Sequence, residues 1–294
     1  MSEPRLPTYG GQAVIEGVMM RGSKAVAIAM RAPNQEIVIH KESLGGIYKS
    51  RYTKIPFLRG MVVLWDALGL GMRALTLSAN VQTDEDTKLE GPALYLTLAI
   101  SLALGIALFF LLPATAGQLL ERFTGLNSWW GNLAEGLLRL CLLVLYIWAV
   151  GFVPDIRRVY AYHGAEHKTI NAFESGVELN TENVAMASLE HPRCGTAFLL
   201  TLVLLSVLVF SLLGPMPMFW RLASRVLLLP VLAGVAYEYI RWTASHLESR
   251  LVRWMIRPNL ALQRLTTREP SSDMLEVSIA AFNAMRQDEQ QISL

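Results

Sequence analysis

The sequence predicts a mainly α-helical, polytopic membrane protein with about four transmembrane helices and a small cytosolic N-terminal α+β region. Three observations carry that expectation. Hydrophobic residues make up 53% of the 294 and charged residues only 17%, a balance that suits lipid rather than water as solvent. The apolar residues are clustered: no charge occurs between Glu90 and Glu121 or between Arg193 and Arg221. Each gap exceeds the roughly 20 residues that span a hydrocarbon core as a helix. Glycines and β-branched residues, finally, are concentrated ahead of the first gap.

Taken in order, the chain opens with the glycine-punctuated run Gly10-Gly11-Gln12-Ala13-Val14-Ile15-Glu16-Gly17-Val18-Met19-Met20-Arg21-Gly22. Two stretches rich in β-branched and apolar residues follow, Ala25 to Arg31 and Glu36 to Lys41, with the turn signal Pro33-Asn34-Gln35 between them. Together these predict a small β-hairpin or three-stranded sheet. Met1 to Ser43 lacks a basic-then-apolar leader, so the spans themselves are expected to direct insertion. After Pro56, Leu58 to Ala79 has helical periodicity and holds Arg59, Trp65, Asp66 and Arg73, the composition of an amphipathic helix on the inner leaflet. Gln82 to Glu90 reads as a polar linker that closes a first region, residues 1–90.

Residues 91–245 form the expected transmembrane region. The two charge-free gaps supply two spans, and Leu133 to Val153 supplies a third. Glu135 and Arg139 sit at the outer end of that third span as an i,i+4 pair near the headgroups, followed by an uncharged run from Leu140 to Pro154. Leu222 to Tyr239 is the weakest, because only twelve uncharged residues separate Arg225 from Glu238 and Pro230 interrupts the helix. It reads as a kinked span, with a re-entrant or interfacial segment as the alternative. Lys41, Lys49, Arg51, Lys54 and Arg59 precede the first span, and Arg241, Arg250, Arg253, Arg257, Arg264 and Arg268 follow the last. The positive-inside rule therefore puts both termini, and the central loop 155–195, in the cytosol beneath an inner, cytoplasmic membrane. Residues 246–294 are a cytosolic tail, with a helix expected from Ser272 to about Gln287. The chain shows no internal repeat of the length that builds duplicated transporters.

A net charge of +2 without a Lys/Arg run argues against nucleic acid as a partner. The lipid bilayer is the expected partner, with a peptide or lipid substrate or a membrane-protein partner left open. Cys141 lies in a span and Cys194 beside a histidine, so no disulfide framework is expected.

Chemistry concentrates in the central loop, in Tyr162-His163-Gly164-Ala165-Glu166-His167-Lys168-Thr169-Ile170-Asn171-Ala172-Phe173-Glu174. Histidines at i and i+4 share one helix face and can converge on a tetrahedral divalent metal, zinc by donor type, while Glu166 between them can activate water. The order His-x-x-Glu-His is that of the inverted zinc peptidases. His191-Pro192-Arg193-Cys194 brings a second pair of donors, so three of five histidines and the cysteine outside the spans fall in one loop. His163, His167, His191 and Cys194 together would make a closed structural site; three of them would leave a catalytic position open. The alternative is that the histidines pack against the N-terminal region and Cys194 is a small buried thiol.

Glu174, seven residues beyond His167, stands about 10 Å further along a straight helix, too far for the same ion. A supporting role, or a neighbouring metal, stays open for it. Glu238 at the edge of a span is a functional candidate or an interfacial partner of Arg241. Glu16 could reach the site as base or ligand, or cap its own turn. Arg21 and Arg59 could hold an anionic substrate or headgroup, or simply anchor the positive side.

The opening glycine-rich run, the Tyr162 to Lys168 motif, His191-Pro192-Arg193-Cys194-Gly195-Thr196, Tyr237-Glu238 and Leu262-Gln263-Arg264-Leu265-Thr266-Thr267-Arg268-Glu269-Pro270 occur in one order. In these motifs the chain resembles, over nearly its whole length, the YqhQ-like bacterial membrane proteins, a family of unknown function described as predicted metal-dependent enzymes. The resemblance implies a metal-dependent activity and names no substrate. Two functions of different class stay open: a metallohydrolase acting on a peptide or lipid-linked substrate, and a non-enzymatic scaffold or biogenesis factor whose metal is structural. Metal transport would call for more acidic or histidine residues inside the spans.

Overall fold

The computed structural model describes residues 9–44, 55–83 and 91–293; Lys49, Arg51, Lys54 and most of the Gln82–Glu90 linker lie outside the described residues. Strands β1 (Gly10–Val14), β2 (Gly17–Arg21), β3 (Ala25–Arg31) and β4 (Ile37–Ser43) form one antiparallel sheet in chain order. The stretches with β-branched composition are β3 and β4, and the glycine-punctuated opening supplies β1 and β2, one strand more than a three-stranded sheet. Val14 pairs with Gly17, which leaves Ile15 and Glu16 as a two-residue turn with Glu16 at a φ of 53°.

The helices are α1 (Leu58–Val81), α2 (Gly91–Ile106), α3 (Leu112–Thr124), α4 (Ser128–Val150), α5 (Pro154–Glu174), α6 (Thr181–Met186), α7 (Gly195–Ser211), α8 (Met218–Leu227), α9 (Leu229–Ala244), α10 (Arg250–Met255), α11 (Arg257–Thr266) and α12 (Ser272–Ser293). A π-helical turn, Ala107–Leu111, joins α2 to α3. Among the described residues three helical runs are long and apolar enough to cross a membrane: α1, Leu94–Thr124 and α4. The α8–α9 pair, bent by 40°, makes a fourth if it is one span. The bend falls where the sequence placed it, because Pro230 in the first turn of α9 has no backbone N–H to continue α8.

Two elements differ from expectation. α1, expected as an interfacial helix, passes the same length and hydropathy test as the others, since Arg59, Asp66 and Arg73 are its only charges. Its first turn is held by Glu238 of α9, which accepts from Arg59 Nε at 2.6 Å. Its far end is held by the sheet, where Ser78 Oγ accepts from the Ile15 N–H and Gln82 donates to the Arg31 carbonyl. α7, one of the two clearest spans in the sequence, has 17 residues. That is about 25 Å of helix against a hydrocarbon core of about 30 Å. Gly214-Pro215 and Pro217 follow it, so the uncharged stretch up to Arg221 is not helical throughout.

The two faces of the sheet bury different partners, as strand alternation requires. Val14, Met19, Val26, Ile28 and Met30 pack on Leu70 and Ala74 of α1. Val18, Met20, Ala25, Ala27 and Ala29 pack with Ala161, Tyr162 and Ile170 of α5 and with Leu275, Phe282 and Met285 of α12. Residues from the expected first region, central loop and tail thus share one core. Near its C-terminal end α12 offers Glu289, whose Oε1 accepts from the backbone N–H groups of Ser23 and Lys24 at 2.5 and 2.8 Å.

The helical bundle has its own core of Leu143 and Ile147 in α4, Leu200 and Val203 in α7, and Leu262 in α11. It also encloses charges. Glu135 and Arg139 are bonded as the i,i+4 spacing suggested, at 2.7 Å, and both are fully buried within the bundle. The reason is α8: Arg225 donates to both oxygens of Glu135 at 2.8 and 2.6 Å, and Arg221 bonds Glu121 and Asn132. Arg139 also donates to Ser206 and to the Phe109 carbonyl in the π-helical turn, where i→i+5 winding disturbs the regular ladder.

Candidate metal centre

α5 begins with Pro154 at its first position and Asp155 in its first turn, favoured placements for a helix start. One helical turn apart on its buried side, the rings of His163 and His167 have centroids separated by 4.4 Å. Each ring is fixed by a backbone carbonyl. His163 Nδ1–H donates to the Thr266 carbonyl at 2.9 Å, and His167 Nδ1–H donates to the Leu189 carbonyl at 2.6 Å. A carbonyl only accepts, so Nδ1 carries the hydrogen in both neutral rings and Nε2 carries the lone pair.

His163 Nε2 meets Cys194, the N-cap of α7. Its Sγ lies 3.2 Å from His163 Nε2 and 2.8 Å from Thr196 Oγ1, and accepts from the Thr196 N–H at 3.4 Å. The donor atoms of His163, His167 and Cys194 all lie within 4.8 Å of one another. A tetrahedral zinc with Zn–N near 2.0 Å and Zn–S near 2.3 Å would space such donors at roughly 3.3–3.6 Å. Side-chain movement of about an ångström closes the difference, and two imidazoles with a thiolate suit zinc or a similar divalent ion. Among the described residues His167 Nε2 is buried with no hydrogen-bond partner, a costly state for a polar atom that a cation would relieve.

The segment that supplies Leu189 and Cys194 is clamped from several sides. Lys168 Nζ donates to the Ala185 and Ala187 carbonyls and pairs with Glu269. Asn171 donates to the Ser188 and Glu190 carbonyls. Gln263 accepts from the His191 N–H at 3.1 Å and donates to the His191 carbonyl at 2.8 Å. The strap that carries Thr266 crosses α5 at Gly164: Arg268 N–H donates to the Tyr160 carbonyl, and any Cβ on Gly164 would collide with the Arg268 carbonyl.

Glu166 is buried and leans on β1. A Cβ on Gly11 would stand 3.0 Å from its Cγ and Cδ, so the glycine-rich opening and the histidine helix need each other's shape. Burial pushes the Glu166 carboxyl up to about 7, against the opposing pull of nearby His163 and the Gly11 backbone. Its Oε2 has no hydrogen-bond partner among the described residues.

The other expected site residues stand elsewhere. His191 lies outside the donor group: with its backbone clamped by Gln263, its ring centroid is 5.6 Å from that of His167 and its Nε2 is 3.8 Å from Glu174. Glu174 also pairs with Arg193. Burial opposes ionisation of Glu174, but His191 and Arg193 beside it hold its pKa below the usual carboxylate value. Glu16 accepts both Nε and Nη2 of Arg158, at 2.5 and 2.6 Å. Arg21 approaches Asp66 at 3.8 Å, and Glu238 binds Arg59. Sequence reasoning missed the two orienting carbonyls, Lys168 as a loop clamp and Gln263. Thr266, Lys168 and Gln263 lay within motifs already singled out; Leu189 did not.

The sequence matches the family described as Protein of unknown function (DUF1385) over residues 55–288. It is similar to the Uncharacterized protein YqhQ of Bacillus subtilis (strain 168), with 35% identity over 295 residues, covering 95% of this chain and 92% of the relative. No solved structure matches.

Proposed function

The chain belongs to the DUF1385 family, whose function is unknown, and on that premise we propose that it is a membrane-embedded metalloprotein and hydrolase. His163, His167 and Cys194 are its metal ligands, and the site works at the cytosolic face on a peptide or lipid-linked substrate. The observation that carries this reading is the pair of Nδ1–H bonds to the Thr266 and Leu189 carbonyls, which leaves Nε2 as the lone-pair atom of both rings, with Cys194 in the same donor group. Metal-ligating histidines are oriented in this manner. Three donors, with His191 turned to Glu174, match the catalytic pattern that leaves one position open. A divalent ion there would supply Lewis acidity and a water nucleophile at neutral pH. Glu166, with a carboxyl near 7 and an unused buried oxygen, takes and returns the proton.

Exposed aromatics support placing the bundle in a bilayer. Phe123, Trp129, Trp130, Phe219 and Trp220 cluster around the α3–α4 connection and the start of α8, while Trp148 and Phe152 lie at the far end of α4. Such rings sit at membrane interfaces. The Arg-rich segment after α9, which leads into the strap beside the metal centre, supports a cytosolic location for that centre.

Elemental analysis of purified full-length protein tests the reading. Wild type is expected to hold about one ion per chain by the one-site geometry, and His163→Ala and Cys194→Ala to hold almost none. Glu166→Gln keeps the ion and loses hydrolysis. Protein that neither carries nor binds a divalent ion overturns the proposal. One observation favours a structural metal instead: the donors tie α5 to the head of α7, beside the α11 strap. Under that reading Glu166→Gln is harmless, while His163→Ala speeds hydrogen exchange across 187–194.

A further inference from the structure

A groove of about 540 Å³ runs along α4 beside Leu140, Cys141, Val144, Leu145 and Trp148, with Leu265 of α11 on its other side. This volume lies within the roughly 300–1,000 Å³ of small-molecule sites. Its lining is apolar throughout and it lies on a helix long and apolar enough to cross a membrane, so a hydrocarbon chain fits it and a polar solute does not.

What distinguishes this groove from ordinary lipid-facing surface is the cation at its Trp148 end. The chain turns at Gly151, where a methyl group would stand 3.3 Å from the Trp148 carbonyl, 3.3 Å from the Tyr160 ring and 3.6 Å from Arg268 Nη2. The Arg268 guanidinium lies over the Tyr160 ring, 6.0 Å from its centroid. Its Nη1 donates to the Arg264 and Thr267 carbonyls, both at 3.0 Å. Among the described residues Nε and Nη2 have no hydrogen-bond partner, and no carboxylate pairs with Arg268. Arg264, by contrast, is occupied by Glu190.

We infer that this groove and Arg268 form a binding site for an anionic phospholipid, with an acyl chain along α4 and the phosphate on the guanidinium. Complementarity selects the occupant: a guanidinium with two free donor positions matches paired phosphate oxygens. The arrangement does not depend on a bound metal. It does set the headgroup beside the centre, because Leu265 and Arg268 flank Thr266, the residue that orients His163.

Cys141 makes the site measurable, since it is exposed in the groove while Cys194 is buried. The full chain is placed in phosphatidylcholine nanodiscs with increasing phosphatidylglycerol, and Cys141 alkylation by N-ethylmaleimide is followed, with Cys141→Ser as background. Phosphatidylglycerol is expected to slow alkylation several-fold beyond phosphatidylcholine alone. Arg268→Gln abolishes this dependence and Arg268→Lys keeps part of it; the strap survives either change because it is anchored by the Arg268 backbone. Native mass spectrometry of detergent-purified protein should show a phosphatidylglycerol adduct that Val144→Trp, which fills the groove, removes. Equal alkylation in the two lipids overturns the inference, as does a phosphatidylglycerol effect that persists in Arg268→Gln or an adduct that persists in Val144→Trp.

Discussion

Two polar clusters are buried in this protein, and they handle their bonding capacity in opposite ways. In the bundle, Glu135, Arg139, Arg221, Arg225 and Asn132 spend their donors and acceptors on one another, on Glu121, on two serines and on two backbone carbonyls. In the centre formed by α5, the head of α7 and the α11 strap, His167 Nε2, His191 Nε2 and Glu166 Oε2 are buried without hydrogen bonds among the described residues. The first cluster has four charged side chains, five with Glu121, and among the described residues none of its buried side-chain polar atoms lacks a partner. The second has fewer charges and unspent lone pairs. Burial of polar groups therefore does not mark a site; unspent bonding capacity in buried groups does.

The largest effect should come from the closed cluster. Glu135→Leu leaves Arg139 and Arg225 without their carboxylate, and removing one partner of a buried pair costs about 3–5 kcal/mol. Thermal unfolding in detergent should show that loss, while divalent-ion binding by the folded fraction should match that of the unaltered protein. A shift below about 1 kcal/mol would mean that the arginines find other partners and that the cluster is not closed.

An intermediate effect is expected at Gly164→Ala. The added methyl collides with the Arg268 carbonyl and displaces the strap that holds Thr266. Overpacking of this kind costs about 1–3 kcal/mol, and disturbing a group that orients a ligand weakens metal affinity roughly 10–100-fold. Zinc titration against a chromophoric chelator reads the affinity directly. Unchanged affinity would separate the carbonyl bond from ligand orientation.

The smallest effect belongs to Arg158→Gln, which breaks the pair with Glu16. The Arg158 side chain is 50% exposed, so solvent screens the charge and the loss should stay below about 1 kcal/mol. Chemical denaturation together with metal content checks it. A larger loss would show that the strained turn at Glu16 depends on this arginine.

How much of this could be read in advance follows from the range of each interaction. The apolar helical runs were legible because lipid demands long charge-free segments, and β3 and β4 because their composition and turn are local. The grouping of His163, His167 and Cys194 was legible for a similar reason: helical spacing puts two on one face, and the third lies in the segment that joins α5 to α7. Helix lengths were less so, since charges bound an uncharged stretch without bounding the helix within it, as α7 shows. The closed cluster was legible only as the local pair Glu135 and Arg139. Arg225 comes from 90 residues further on, and no local pattern encodes that approach. The Thr266 and Leu189 carbonyls were invisible, because every residue has a backbone acceptor and only tertiary structure decides which is used. His191 looked equivalent to the other donors by spacing alone, and Gln263, 72 residues away, holds its backbone.

The seating of the last helix on the first strands has a consequence for biosynthesis. Arg31, in β3, donates to the Asp273 carbonyl of α12 across 242 residues of chain. At about 5–20 residues per second, the ribosome needs roughly 10–50 s to deliver one after the other. Through that interval the alanine- and valine-lined face of the nascent sheet has no α12 to cover it. That face can therefore finish packing only after α12 has been synthesised.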